Sequence, residues 1–191
     1  YYIMFYQKQE FIDSFINLIK ECNKTILAIY NTDFDVDYKE DESPLTIADK
    51  SCNVLICFYL EKLNKQLVDE QKINTDDIVI ISEENKNLEY EFRKNKTWCW
   101  LVDPVDGTKE FVKKNGQFTV NIGLVENGVP VFGIVSIPVS GEIYYGAKGL
   151  GSFKLHNNIT TLLTIDDMKD FTKQKCRIVA SASHLNEETQ E

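Results

Sequence analysis

Between Trp98 and Phe111 the chain reads W-C-W-L-V-D-P-V-D-G-T-K-E-F, and Asp103, Asp106, Gly107 and Thr108 are the residues that could do chemistry together. An apolar run breaks off at Asp103, as expected of a strand buried on both faces that ends in charge. Pro104 fixes one φ angle and removes a donor, so Asp103 and Asp106 are expected in a stiff turn. Gly107 admits a ligand close to the backbone. Thr108 to Phe111 can open a helix whose free N–H groups suit a phosphate. Two carboxylates, a nearby backbone carbonyl and a helix N-terminus suit hard cations and a phosphoryl group. Because every donor is oxygen, Mg2+ is the preferred ion. Taken separately, Asp-Pro and Asp-Gly are ordinary turn chemistry.

Other carboxylates stand at similar places. The apolar run Ile78–Ile81 ends in Ser82-Glu83-Glu84, although paired glutamates in a loop are commonly just solvated. In Ser43-Pro-Leu-Thr-Ile-Ala-Asp49, Thr46 and Asp49 have the spacing of a helix-capping pair. Asp33-Phe-Asp-Val-Asp has metal-like spacing but lacks the glycine and distal glutamate of a calcium loop. It reads as a solvated loop, with Val36 and Tyr38 as a possible short strand. With only His156 and His184, and no C-x-x-C pair, a zinc site is not expected.

Asp103-Pro-Val-Asp-Gly-Thr108 resembles the D-P-x-D-G-T motif of the magnesium-dependent, lithium-sensitive phosphatases of the inositol monophosphatase family. Lys109-Glu110-Phe111 resembles the continuation found in the 3′(2′),5′-bisphosphate nucleotidase branch. Ser82-Glu83-Glu84 and Ser43 to Asp49 match further family elements in the same order, so the resemblance runs from about Ser43 through Ser183. It implies an α/β fold, a layered α-β-α-β-α sandwich whose C-terminal part is missing here. It also implies two-metal hydrolysis of a small phosphorylated substrate. Glu83, Asp103 and the Val105 carbonyl would hold one Mg2+, with Asp103 bridging to a second held by Asp106. Glu84 would lie beside Glu83. Thr108 would pair with Asp49 to orient a water, and N–H groups around Gly107 and Thr108 would cradle the phosphate. Adenosine 3′,5′-bisphosphate is the first expectation for substrate. An inositol phosphate or sugar bisphosphate would use the same cradle, and a non-catalytic nucleotide- or metal-binding relic is the remaining reading. The family's W-D-x-A-A-G motif, which brings a further ligand, has no match before Glu191. The chain therefore reads as an N-terminal fragment that, alone, would bind Mg2+ weakly, hydrolyse bisphosphate nucleotides slowly or not at all, and self-associate.

These residues need elements to hold them. Phe11, Phe15, Leu18, Ile19, Cys22 and Ile26 recur at helical spacing, so Gln7 to about Tyr30 reads as an amphipathic helix. A second helical pattern follows Asp49 to about Leu67. After the central motif, Gln117–Val125 alternates, Glu126-Asn-Gly128 turns, and Val129–Ile137 returns as a hairpin. Glu142–Ala147 runs back, and Gly149-Leu-Gly151 reads as a turn before Ser152–Leu155. Residues 1–160 are expected to form a metal-binding α+β subdomain. Residues 161–191 would be a linker and the start of a second one, with a strand at Arg177–Ser181 and a helix capped at Ser183 beside His184.

Over 191 residues the net charge is −9, which argues against a nucleic-acid polymer as partner but not against a small phosphate. The apolar run from Val129 to Val139 is broken by Gly133 and Pro138, so no membrane-spanning helix is expected. Five scattered cysteines, an odd number, suit buried free thiols in a reducing cytoplasm.

Overall fold

Apolar residues at helical spacing build the first layer. In the computed structural model, which describes residues 3–39, 44–85 and 88–164, a 3₁₀ turn (Phe5–Gln7) leads into α1 (Gln9–Tyr30). α1 buries the expected stripe, Phe11, Phe15, Leu18, Ile19, Cys22 and Ile26. α2 (Ile47–Asp69) packs against it through Cys52, Ile56 and Leu60. Between them, β1 (Val36–Tyr38) pairs antiparallel with β2 (Pro44–Thr46). The acidic run is therefore part strand rather than solvated loop throughout: Val36 pairs with Thr46, while exposed Asp37 meets Lys50 at 2.6 Å.

The second layer is one seven-stranded sheet. Its strands lie in chain order: β3 (Ile78–Ser82), β4 (Trp98–Asp106), β5 (Thr119–Glu126), β6 (Val129–Ile137), β7 (Glu142–Ala147), β8 (Gly151–His156) and β9 (Ile159–Leu163). β3 and β4 are parallel, joined through the short α3 (Tyr90–Arg93), and every later pairing is antiparallel. The five-residue α4 (Thr108–Val112) joins β4 to β5. At the β5–β6 turn Asn127 and Gly128 have φ of 49° and 77°, the left-handed pair that a tight hairpin demands. β9 straddles the expected division at 160/161. Cys176 and the expected features at Arg177–Ser181, Ser183 and His184 lie outside the described residues, as does Ser43. Among the described residues no helix is long and apolar enough to cross a membrane. Cys22 and Cys52 are buried free thiols, and Cys57 and Cys99 are half-buried ones.

β4 departs from its expected form in two ways. It is not buried on both faces: Trp98, Trp100 and Val102 face the helices, whereas Leu101 is 46% exposed. The cause is a helix pair packed on one face of a mainly antiparallel sheet, which imposes the alternation of a half-buried strand. Nor does the strand stop at Asp103. It runs on to Asp106 with a bulge, because Asp103 pairs with Asn121 and Asp106 with Thr119. Three steps along β4 thus match two along β5. On a regular strand residues three apart face opposite sides, and the extra residue puts both aspartates on the same one. Pro104 sits inside this bulge, where the ladder does not need its missing N–H.

Gly107 ends the bulged segment at φ 94°, and a Cβ there would meet the Gln117 carbonyl oxygen at 2.8 Å. Gly107→Ala is therefore expected to destabilise the fold by roughly 1–3 kcal/mol, through a left-handed backbone and a clash with main chain. A urea unfolding midpoint equal to that of the parent protein would contradict this account.

Candidate active site

The parallel register of β3 on β4 brings the acids together. Ser82 stands opposite Val102, and the Glu83 N–H donates to the Val102 carbonyl at 3.0 Å. The next residue of each strand is then a carboxylate, Glu83 beside Asp103, at the carboxyl ends of the parallel pair. The bulge adds Asp106 on the Asp103 face. Burial, then the charges of Glu83 and Asp106 and the hydrogen bond shared with Glu83, push the Asp103 carboxyl up to about 7. Its Oδ1 is buried with no hydrogen-bond partner.

Thr108 opens α4 within reach of α2. Its hydroxyl lies 3.1 Å from Asp49 Oδ1 and 3.1 Å from the Val105 carbonyl oxygen, so one hydrogen is shared between two acceptors. Asp49 is fully buried. Its other oxygen, Oδ2, accepts from the Thr46 N–H at 2.8 Å and the Thr46 hydroxyl at 2.6 Å. The capping role and the pairing with Thr108 therefore coexist, one on each oxygen of the same carboxylate. Asp49 is linked through Thr108 to the Val105 carbonyl of the bulged segment, and its charge also reaches Glu84.

Three features of the site were not anticipated from the sequence. Asn121 on β5 donates to Asp106 Oδ2 at 3.2 Å, a consequence of the bulged register. Lys39, just past β1, places its ammonium 2.9 Å from Glu83 and 2.8 Å from the nearly buried Glu84. Burial lowers the Lys39 pKa, but the hydrogen bonds to Glu84 and Glu83 outweigh it and hold the ammonium above the usual lysine range. Burial also raises Glu84 against the opposing pull of Lys39. Finally, Asn53 on α2 is bonded to Ser82 and Asn85 on either side of the two glutamates. A lone lysine or asparagine carries no spacing signal, so only the folded chain reveals these partners.

The motif continuation is also clarified by packing. Phe111 is fully buried against Tyr30, Phe34 and Phe118, so it seats α4 in the core. Lys109 is exposed.

The Inositol monophosphatase family profile matches residues 7–191. The chain belongs to the inositol monophosphatase family. The 3′(2′),5′-bisphosphate nucleotidase CysQ of Salmonella typhimurium is 34% identical over 182 residues, covering 94% of this chain and 67% of the relative. The crystal structure of CysQ from Bacteroides thetaiotaomicron superposes with a TM-score of 0.62 at 34% identity, over 92% of this chain and 64% of that one. An IMPase/NADP phosphatase solved with Mg2+ and phosphate shares the fold, with a TM-score of 0.55 at 18% identity over 76% of this chain and 49% of that one. The chain thus spans between about half and two thirds of the length of these relatives. The mixed α/β fold, with a helix pair on a large mixed sheet, is that of the family.

Does this member's acidic edge fit a metal? Among the described residues no three His, Cys, Asp or Glu side chains converge as a finished cage. Glu83 and Glu84 both hold Lys39, whose single ammonium offsets one of their two charges. The donor chemistry nevertheless fits a hard divalent ion: carboxylate oxygens from two strand ends, and at Asp103 a buried oxygen that nothing in the protein satisfies.

Asp103 also carries a stability cost. Its folded pKa of about 7 lies above the ordinary carboxyl value of 3.8, so its contribution is fully present below the lower value and is lost as pH rises through the upper one. Asp103→Asn is therefore expected to stabilise metal-free protein at pH 8 by on the order of 1 kcal/mol after allowance for solvent screening, and to change little at pH 4. Thermal melts in chelator at both pH values check this. An equal or lower Tm for the variant at pH 8 would contradict it.

Proposed function

We propose that the protein is a Mg2+-dependent phosphomonoesterase that removes the 3′-phosphate of adenosine 3′,5′-bisphosphate, giving AMP and inorganic phosphate. The observation that carries the chemistry is the Thr108 hydroxyl, held 3.1 Å from a fully buried Asp49 and beside the Glu83, Asp103 and Asp106 edge. A hydroxyl so placed donates its hydrogen to Asp49 and offers its lone pairs to a water. As the water oxygen bonds to phosphorus, its proton passes to Thr108, whose own proton passes to Asp49. The bond from phosphorus to the 3′ oxygen breaks, and the departing oxygen takes a proton from solvent. Asp49 is a positioning residue and proton sink, since it meets the reactants only through Thr108.

Glu83, Asp103, the Val105 carbonyl and Asp106 would hold Mg2+, which when bound neutralises phosphate oxygens and lowers the pKa of a water. Asn121 fixes Asp106 on the face it shares with Asp103. Gly107 leaves the backbone open, so phosphate oxygens can approach the N–H groups at the start of α4. Glu84 sits behind Glu83 and anchors Lys39. Support for a nucleotide substrate comes from the Lys109-Glu110-Phe111 continuation and from the CysQ relatives. Support for Mg2+ comes from the all-oxygen donor set and from the Mg2+ in the distant structural relative. The free thiols support a reducing cytoplasm as the compartment.

Phosphate release at saturating Mg2+ tests the substrate. Adenosine 3′,5′-bisphosphate is expected to give a higher kcat/KM than inositol 1-phosphate or fructose 1,6-bisphosphate. Should inositol 1-phosphate prove best, the nucleotide reading is wrong while the shared metal chemistry stands. No release from any of the three is the outcome expected of a fragment and would leave the phosphatase reading without support from this chain.

The same assay tests the proton path. Thr108→Ala is expected to lower kcat by about 10²- to 10⁴-fold with KM little changed, because the hydroxyl orients water and moves a proton. A raised KM with unchanged kcat would make Thr108 a binding residue instead.

A further inference from the structure

We infer that Asn53 positions the Glu83–Asn85 turn for cation binding, and that it does so from the same face of α2 that carries Asp49. The inference rests on the proposed metal-dependent reading and adds a residue to it. Asn53 lies four positions after Asp49, one turn along the same side of the helix. It is 8% exposed, and its side-chain amide bonds to Ser82 and Asn85 of the acidic turn and to Cys57 one turn along α2. Its Oδ1 accepts from the Ser82 hydroxyl at 2.6 Å and from the Cys57 thiol at 3.3 Å. Its Nδ2 donates to Asn85 Oδ1 at 2.8 Å. The Asn85 amide reaches back to Cys57 Sγ at 3.5 Å, and the Asn85 N–H donates to the Ser82 carbonyl at 3.2 Å.

One buried amide therefore grips both ends of a turn whose middle is Glu83-Glu84. Adjacent carboxylates repel, Lys39 offsets only one of the two charges, and opening of the turn would relieve the remainder. Fixing Ser82 and Asn85 to a rigid helix prevents that opening. It also sets where Glu83 stands relative to Thr108, because Asp49 holds Thr108 from one turn earlier on the same helix. α2 thus serves as a common ruler for the water-orienting pair and the metal-facing turn. A residue needed only to fill space here could be aliphatic, without the cost of burying an amide.

The test is calorimetric titration of Mg2+ into the 191-residue chain, with parallel thermal melts. Asn53→Ala, Asn53→Leu and Asn85→Ala are each expected to weaken Mg2+ binding by about tenfold or more, the usual effect of removing a partner that orients a metal ligand. The leucine variant keeps the packing volume, so its loss would show that hydrogen bonding is what matters. Asn53→Ala combined with Asn85→Ala should weaken binding no more than Asn53→Ala alone, because the bond between the two amides is already lost in the single variant. If an Asn53 variant fails to fold, Asn85→Ala decides, since Asn85 is exposed and its removal leaves the core intact. Variants that melt earlier but bind Mg2+ as tightly as the parent would overturn the inference and leave the proposed function standing. A parent chain that binds no Mg2+ would overturn both.

Discussion

The register of β4 is the constraint from which the site follows. On one side β4 pairs parallel with β3, so their carboxyl ends come out together and Glu83 meets Asp103. On the other side it pairs antiparallel with β5 through a bulge, so Asp106 joins Asp103 and meets Asn121. A slip of one residue against either neighbour would send these side chains to the opposite face. What prevents the slip is the helix-facing side of the same strand. Trp98, Trp100 and Val102 are buried there, and Trp100 is locked by Phe15 at 5.3 Å and by a hydrogen bond to Asn64 at 2.9 Å.

Holding carboxylates in this way opposes stability. Asp103 is driven toward protonation by burial and by its neighbours, and its Oδ1 gains no hydrogen bond. Lys39 relieves Glu83 and Glu84 but not Asp103. The offset comes from elsewhere, in an aromatic core where Phe11 and Phe15 lie 4.8 Å apart and each lies 4.9–6.4 Å from Trp100 and Phe132 by ring centroid. Fully burying side chains of this size contributes about 1.5–3 kcal/mol each. A local electrostatic cost of a few kcal/mol is therefore tolerable. The strain sits at the acidic edge, and the rigidity that bears it sits on the other face of β4.

Much of this was legible before folding. Helical spacing gave α1 and α2 to within about three residues at each end, because amphipathic periodicity is a local signal. The hairpin at Asn127-Gly128 was legible for the same reason. The pairing of Asp49 with Thr108 came from resemblance alone, and the geometry agrees with it. The bulge was not legible: Asp-Pro-Val-Asp looks like a turn, and only the partner strand turns it into continued β structure. β4 looked buried on both faces because Cys99 and Leu101 are apolar, yet the helices cover only the tryptophan side. Asn121, Lys39 and Asn53 carry no motif, and their roles arise from elements far apart in sequence.

The bulge also explains how one strand serves core and chemistry at once. A regular strand alternates, and β4 does so from Trp98 to Asp103, with apolar residues toward the helices. Then Pro104 and Val105 are buried in succession before Asp106 emerges. That double burial is the inserted residue seen from the core side, and the paired aspartates are the same residue seen from the site side. Without it, the alternation would turn Asp106 toward the helices and Val105 out to solvent. The fold would then bury a charge and lose an anchor in a single step. Pro104 suits the position because its missing N–H costs little where the ladder is already broken. A break in the sheet's pattern is thus what allows the pattern on either side to keep its apolar and acidic faces apart.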